Sequence, residues 1–320
     1  MIARNRLIFA FILFGMQFGL LAGAQVAVTR IDYKGWKDAC MMRNRTTTLI
    51  FVPQIGRIMF YGFTNGENVL WENPDLEGKT PDPLNLGKDW QNFGGDKLWP
   101  APQSRWGWPP SPTLDRGGCS LEIASNGHLQ ITGTVDPILG IGFKREIALD
   151  SKSSRTTFRN TLTNASKQEM NWSVWQITQV NDPDRVLIPA SSNPKFPFGF
   201  LPFGDAQLPV GMASLVEKSV VFKRDSKSAG KIGSDAPPGW IEAVFNGNEQ
   251  PTRFRFSAKY EQGKEYPDEG RWLQIYGNAD PAKYVEMEIL SPMAKIAPGK
   301  TYSFVTQWEL KSKESRKAKK

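Results

Sequence analysis

Histidine is almost missing from this 320-residue chain, which contains only His128. That count rules out any scheme needing a His acid beside a second His, and it rules out the His-Glu-x-x-His zinc helix. Cysteine is scarce too. Cys40 and Cys119 match no metal-site spacing. They are either a disulfide, if the chain is exported, or two buried thiols. There is no P-loop and no Rossmann glycine pattern, so no metal, nucleotide or flavin cofactor is expected. Helical periodicity nowhere exceeds three turns, and no apolar run beyond the first residues could span a membrane. Basic helices, zinc-finger spacings and RNA-binding signatures are also lacking, which argues against a nucleic-acid partner. The formal charge of +8 has a local source: the end, KSKESRKAKK, reads as a solvated, disordered basic tail over 311–320.

The amino terminus is different in kind. Arg4 and Arg6 precede an apolar run from Leu7 to Leu21, followed by Ala22-Gly23-Ala24. This is the pattern of a secretory signal peptide over 1–24, so a periplasmic or extracellular location is expected. Gln25 stands where a lipoprotein would carry Cys. Residues 25–310 then form one expected domain, long enough for a large core.

Within it the period is two. Thr47 to Pro53 and Arg57 to Phe63 flank Gln54-Ile55-Gly56, and Asn-Gly pairs at 65, 126 and 246 punctuate apolar runs. Further strands are expected at Leu129–Thr134, Phe143–Leu149, Thr156–Asn164, Met170–Val180 and Val220–Lys223. Later ones are Trp240–Phe245, Arg253–Ser257, Arg271–Tyr276, Tyr284–Ile289 and Thr301–Leu310. In Met170–Val180 the alternation puts Trp172, Val174 and Gln176 opposite Ser173, Trp175 and Ile177. Tyr284, Glu286 and Glu288 share a face. The pattern predicts an all-β fold, a large antiparallel sandwich. Asn181 to Pro209, with six prolines and four phenylalanines, reads as a long connection walling a cleft.

The densest chemistry lies in Asn92 to Pro112, NFGGDKLWPAPQSRWGWPPSP, with three tryptophans and five prolines. So many prolines exclude a helix interior or a central strand. A stiff loop carrying Asp96, Lys97, Trp99, Gln103, Arg105 and Trp106 would suit a sugar, whose C–H faces stack on indole while its hydroxyls need fixed partners. The bland alternative is a plug whose tryptophans are core. Lys231 and Asp235, in KIGSDAPPGW, are either ligand contacts or part of an exposed basic turn.

Three segments in order carry a resemblance. GGDKLWPAP resembles the Gly-Gly-x-Arg-Leu-Trp-x-Ala-Pro segment of galactose mutarotase-like proteins, the aldose 1-epimerase group. TLTNAS is similar to that family's strand-end Thr-x-x-Asn. LQIYGNADPAKYVEMEILSPMAKIAPGKTYSF resembles its late strand pair. The resemblance points to an exported bacterial branch. It implies a galactose mutarotase-like β-supersandwich with a concave sugar-binding face, and it places Glu288 as a candidate base. The family's acid His falls where this chain reads Ser173-Val174-Trp175-Gln176, and neither Trp175 nor Gln176 can act as that acid. The resemblance therefore favours a glycan- or polysaccharide-binding protein without the His-dependent mutarotase mechanism. Trp99, Trp106 and Trp175 would be its platforms, with Asp96, Lys97, Gln103, Gln176 and Glu288 as polar contacts. The alternative is an epimerase or polysaccharide lyase using Glu288 as base with Lys97, Lys231 or a Tyr as the candidate acid. For a lyase, Lys97, Arg105 or Lys231 would meet a uronate carboxylate, and Glu286 supplies a second carboxylate beside Glu288.

Overall fold

A computed structural model describes residues 25–81, 90–204 and 208–312. The expected signal peptide and residues 313–320 of the expected tail lie outside the described residues. Apart from one α-helical turn, Pro112–Arg116, and four short 3-10 turns, the described elements are strands, and every named pairing is antiparallel. The expected all-β class and the sandwich architecture both stand.

The strands form two sheets. The eleven-stranded sheet runs in the order Ala27–Tyr33, Trp36–Arg43, Thr47–Val52, Arg57–Phe63, Asp96–Ala101, Met170–Asn181, Tyr284–Leu290, Leu273–Gly277, Gly230–Ser234 and Leu201–Pro202, with Ala294–Ile296 pairing beside Met170. The ten-stranded sheet carries the remainder, from Ala213–Val216 at one edge to Cys119–Ile123 at the other. The hairpin between Thr47–Val52 and Arg57–Phe63 is written in the sequence: Gly56 takes φ 62°, closing the Pro53–Ile55 turn at little steric cost.

Inner faces meet around Trp308, whose ring centre lies 4.7 Å from Phe158, 5.3 Å from Phe254 and 5.0 Å from Tyr61 of the opposite sheet. Truncating such an indole to Ala typically costs about 3–5 kcal/mol. A polar seam crosses the same interface. Asp96 pairs with Arg145, and its Oδ2 accepts from Gln176 Nε2 at 2.8 Å and Thr178 Oγ1 at 2.7 Å. Gln176 Oε1 in turn accepts from Asn160 and Thr306 of the other sheet.

Two sequence expectations give way. Asp96–Ala101 is a strand inside the sheet despite Pro100. The Arg57 strand pairs with it only at Ile58–Asp96, so beyond that point one edge needs no donor and a proline loses no ladder bond. Asn181 to Pro209 is not a plain connection either, since Arg185–Pro189 inserts into the ten-stranded sheet between the Ser219 and Trp240 strands.

Candidate functional site

Register alone assembles the site. Lys97 stands opposite Ile177 and Trp99 opposite Trp175 across the Asp96 and Met170 strands. Glu286 faces Gln179, and Glu288 faces Ile177, on the Tyr284 strand. On the far side Tyr276 faces Glu286, and Lys231 faces Tyr276. Because side chains alternate, all of these point to the sheet's outer face, away from the Trp308 core. Gly94 and Gly95 bring the Asp96 strand in: a Cβ at either would sit 2.2 Å from a carbonyl oxygen, of Trp71 or of Ile58.

Above this patch opens a cleft of about 530 Å³, within the range of small-ligand sites. Trp71, Trp90, Trp99, Trp108 and Trp175 supply its walls with Tyr276 and Tyr284, and Asn73, Asn92, Gln103 and Asn278 its polar rim. The aromatics are braced against one another. Trp99 meets Trp175 edge-on at 5.5 Å, and Trp71 lies 4.7 Å from Tyr284. Asp115, from the short helix, holds two indoles at once. Its Oδ1 accepts from Trp99 Nε1 at 3.1 Å and Arg57 Nη2 at 2.9 Å, and its Oδ2 from Trp90 Nε1 at 3.1 Å.

Two lysine–carboxylate pairs form the floor. Lys231 Nζ donates to Glu288 Oε2 at 2.8 Å, and Trp175 Nε1 donates to the same oxygen at 2.8 Å. The Lys231 ammonium sits between aromatic faces, 4.8 Å from the Trp175 ring centre and 4.9 Å from Phe203. Lys97 Nζ donates to Glu286 Oε1 at 3.4 Å and lies 4.3 Å from the Trp99 ring. Gln179 Nε2 holds the same Glu286 oxygen at 2.8 Å. Complete burial pushes Glu288 up to about 7, against the pull of Lys231. Burial pushes the Lys97 ammonium down, with Glu286 opposing. Burial, reinforced by Glu286, pushes the Tyr276 and Tyr284 phenols up. The floor therefore offers paired charges that a polar ligand could re-partner, below walls that take apolar faces.

The candidate residues separate cleanly by face. Trp99, Gln103, Trp175, Lys231 and Glu286 line the cleft, with Lys97 and Glu288 buried beneath it. Asp96 and Gln176 point the other way, into the inter-sheet seam, because they alternate with Lys97 and Trp175. Arg105 and Trp106 lie on the far side of the proline segment, where Arg105 donates to the Asn171 carbonyl and Trp106 Nε1 to the Pro100 carbonyl. Asp235 accepts from Asn193 Nδ2 at 2.8 Å, outside the cleft. Sequence reasoning missed Trp71, Trp90, Tyr276, Tyr284 and Asp115. Only the shared face of Tyr284 with Glu286 could have flagged one of them. His128 sits at the turn after Cys119–Ile123, its Nδ1 2.7 Å from Glu146, and does not line the cleft. Among the described residues no group of His, Cys, Asp and Glu could hold a metal, and no helix is long and apolar enough to cross a membrane.

Comparison with solved structures places the fold. A galactose mutarotase related enzyme from Lactobacillus acidophilus matches with TM-score 0.55 at 11% identity, covering 86% of this chain and 97% of that one. A galactose mutarotase-like protein from Clostridium acetobutylicum matches with TM-score 0.53 at 13% identity, covering 91% and 100%. A TPR-domain containing protein from Parabacteroides distasonis, at TM-score 0.55 and 16% identity, is covered over 46% of its length by 85% of this chain. This chain thus spans about half of that protein. The molecule is a galactose mutarotase-like β-sandwich. No curated protein matches the sequence. Within that class the chain belongs to DUF4380, a domain family of unknown function, which matches residues 39–311.

Proposed function

We propose that this protein is an exported carbohydrate-binding protein that holds a glycan in the aromatic cleft, without a His-dependent mutarotase mechanism. The observation that carries the reading is the cleft itself: indole and phenol walls over a floor that presents Glu286 and Lys231. Apolar sugar faces stack on such walls, and hydroxyls take the floor and the Asn/Gln rim. Glu288 favours binding over catalysis by its placement. It is fully buried, and its Oε2 is already held by Lys231 and Trp175. Each floor ammonium is matched by a carboxylate, which favours a neutral saccharide over a uronate. Export rests on the pattern of residues 1–24.

The test is a titration of the full chain with neutral and acidic saccharides, read by tryptophan fluorescence and calorimetry. Saturable binding of neutral sugars, weakened roughly tenfold or more by Trp90→Ala or Glu286→Ala, is expected. Silence toward every sugar would end the proposal. The Glu288–Lys231 pair gives an altered carbohydrate epimerase or lyase as the second reading, because a carboxyl lifted to about 7 can trade protons near neutrality. Polarimetry on free sugars, and ultraviolet absorbance of unsaturated products from uronate polymers, separate it from binding. Turnover lost in Glu288→Gln would favour the enzyme.

A further inference from the structure

The cleft has a neighbour. Residues 106–110 form a ridge: Trp108 and Trp99 face the cleft, while Trp106, Pro109 and Pro110 face a second groove of about 420 Å³ to which Trp99 also contributes. Ile138 and Leu139 form the groove's opposite wall. The two depressions are therefore separated by one stiff turn and share one indole.

The ridge carries an unusual side chain. Trp108 is 58% exposed, yet it is fixed edge-on against Trp90 at 4.9 Å and lies 6.4 Å from Trp99. Both of those indoles are anchored on Asp115. An indole held rigid with its face in water adds apolar area at little entropic cost when something covers it. A single sugar ring seated in the cleft would leave both the outer face of Trp108 and the groove unused.

We infer that the ligand is an oligo- or polysaccharide chain that leaves the cleft across Trp108 and continues along the groove walled by Trp106, Pro109, Pro110 and Ile138. The inference rests on the saccharide reading and adds the length of the ligand. Ring faces of successive residues meet Trp108 and then Trp106. Arg105, exposed and lining the same groove with its guanidinium 5.5 Å from the Trp172 ring, supplies donors to hydroxyls there.

Calorimetric titration of the full chain with galactan, glucan and xylan fragments of one to six residues tests this. For the series that binds, affinity should rise on the order of tenfold or more between monosaccharide and hexasaccharide, then level off. Ile138→Asp, at a position 84% exposed, should remove that gain without unfolding the protein. Trp108→Ala should lower hexasaccharide affinity more than monosaccharide affinity. Equal affinity for one and six residues, or a hexasaccharide indifferent to Ile138→Asp, overturns the chain-binding inference and leaves the single-ring site intact. Failure of every fragment to bind removes the saccharide reading and this inference together.

Discussion

The inner and outer faces of three adjacent strands make opposite use of charge. Inside, Asp96 meets Arg145 and two further donors in the seam that ties the two sheets together. Outside, one residue along, Lys97 is equally buried but shares a single 3.4 Å contact with Glu286, and its charged form is disfavoured. A buried ion pair whose carboxylate gathers several donors fixes how layers register, whereas loosely paired buried charges retain capacity for a ligand. The sharpest break of this contrast is Asp96→Ala. It leaves Arg145, 5% exposed, without its carboxylate, and stability should fall by about 3–5 kcal/mol. Chemical denaturation measures this, and a loss below about 1 kcal/mol would mean that the seam is not structural.

Glu288 gives the next largest effect. Its folded carboxyl titrates near 7 against an ordinary 4.5, because burial disfavours the charge. The native state thus holds the proton more tightly than the unfolded chain does. The resulting stabilisation is complete below about pH 4.5 and is lost as pH rises through 7, up to about 3 kcal/mol. Glu288→Gln keeps the shape and removes the titration. The difference in stability between wild type and Glu288→Gln should therefore change across pH 4.5–7 and flatten above. Denaturation curves at a series of pH values read it directly, and a constant difference would mean that the carboxyl is solvated.

The sequence revealed which side of each strand mattered more readily than which segments were strands. Alternation in Met170–Asn181 separates Trp175 from Gln176, and in Tyr284–Leu290 it joins Glu286 to Glu288, as the register bears out. The same rule, applied to Asp96 and Lys97, would have placed them apart, but a segment with five prolines reads as loop. What makes it a strand is its pairing with Met170–Asn181, and what spares Pro100 is that the Arg57 strand pairs only at Ile58–Asp96, tertiary facts with no local signature. Trp71, Trp90 and Asp115 were illegible for a related reason. Trp71 and Trp90 reach the cleft from outside the regular strands, and buried Asp115 acts only through the two indoles and the arginine it gathers. Gly94-Gly95 was legible as a tight approach, though not what it approaches.

Lys97→Met offers the finest test, because it changes the neighbour of Asp96 and nothing on the inner face. The substitution removes an ammonium only 2% exposed and keeps a flexible apolar stem against Trp99. Glu286 loses a long 3.4 Å contact but keeps Gln179, and at 15% exposure its carboxylate still reaches water. Desolvation relief and lost pairing therefore nearly offset, and stability should stay within about 1 kcal/mol of wild type. Saccharide affinity should still fall, by roughly threefold to tenfold, since Glu286 no longer has a cation to hold its orientation under the bound ring. Denaturation and calorimetry on the same sample separate the two effects. A stability loss comparable to that of Asp96→Ala would show both faces to be framework, and the division of labour along this strand would collapse.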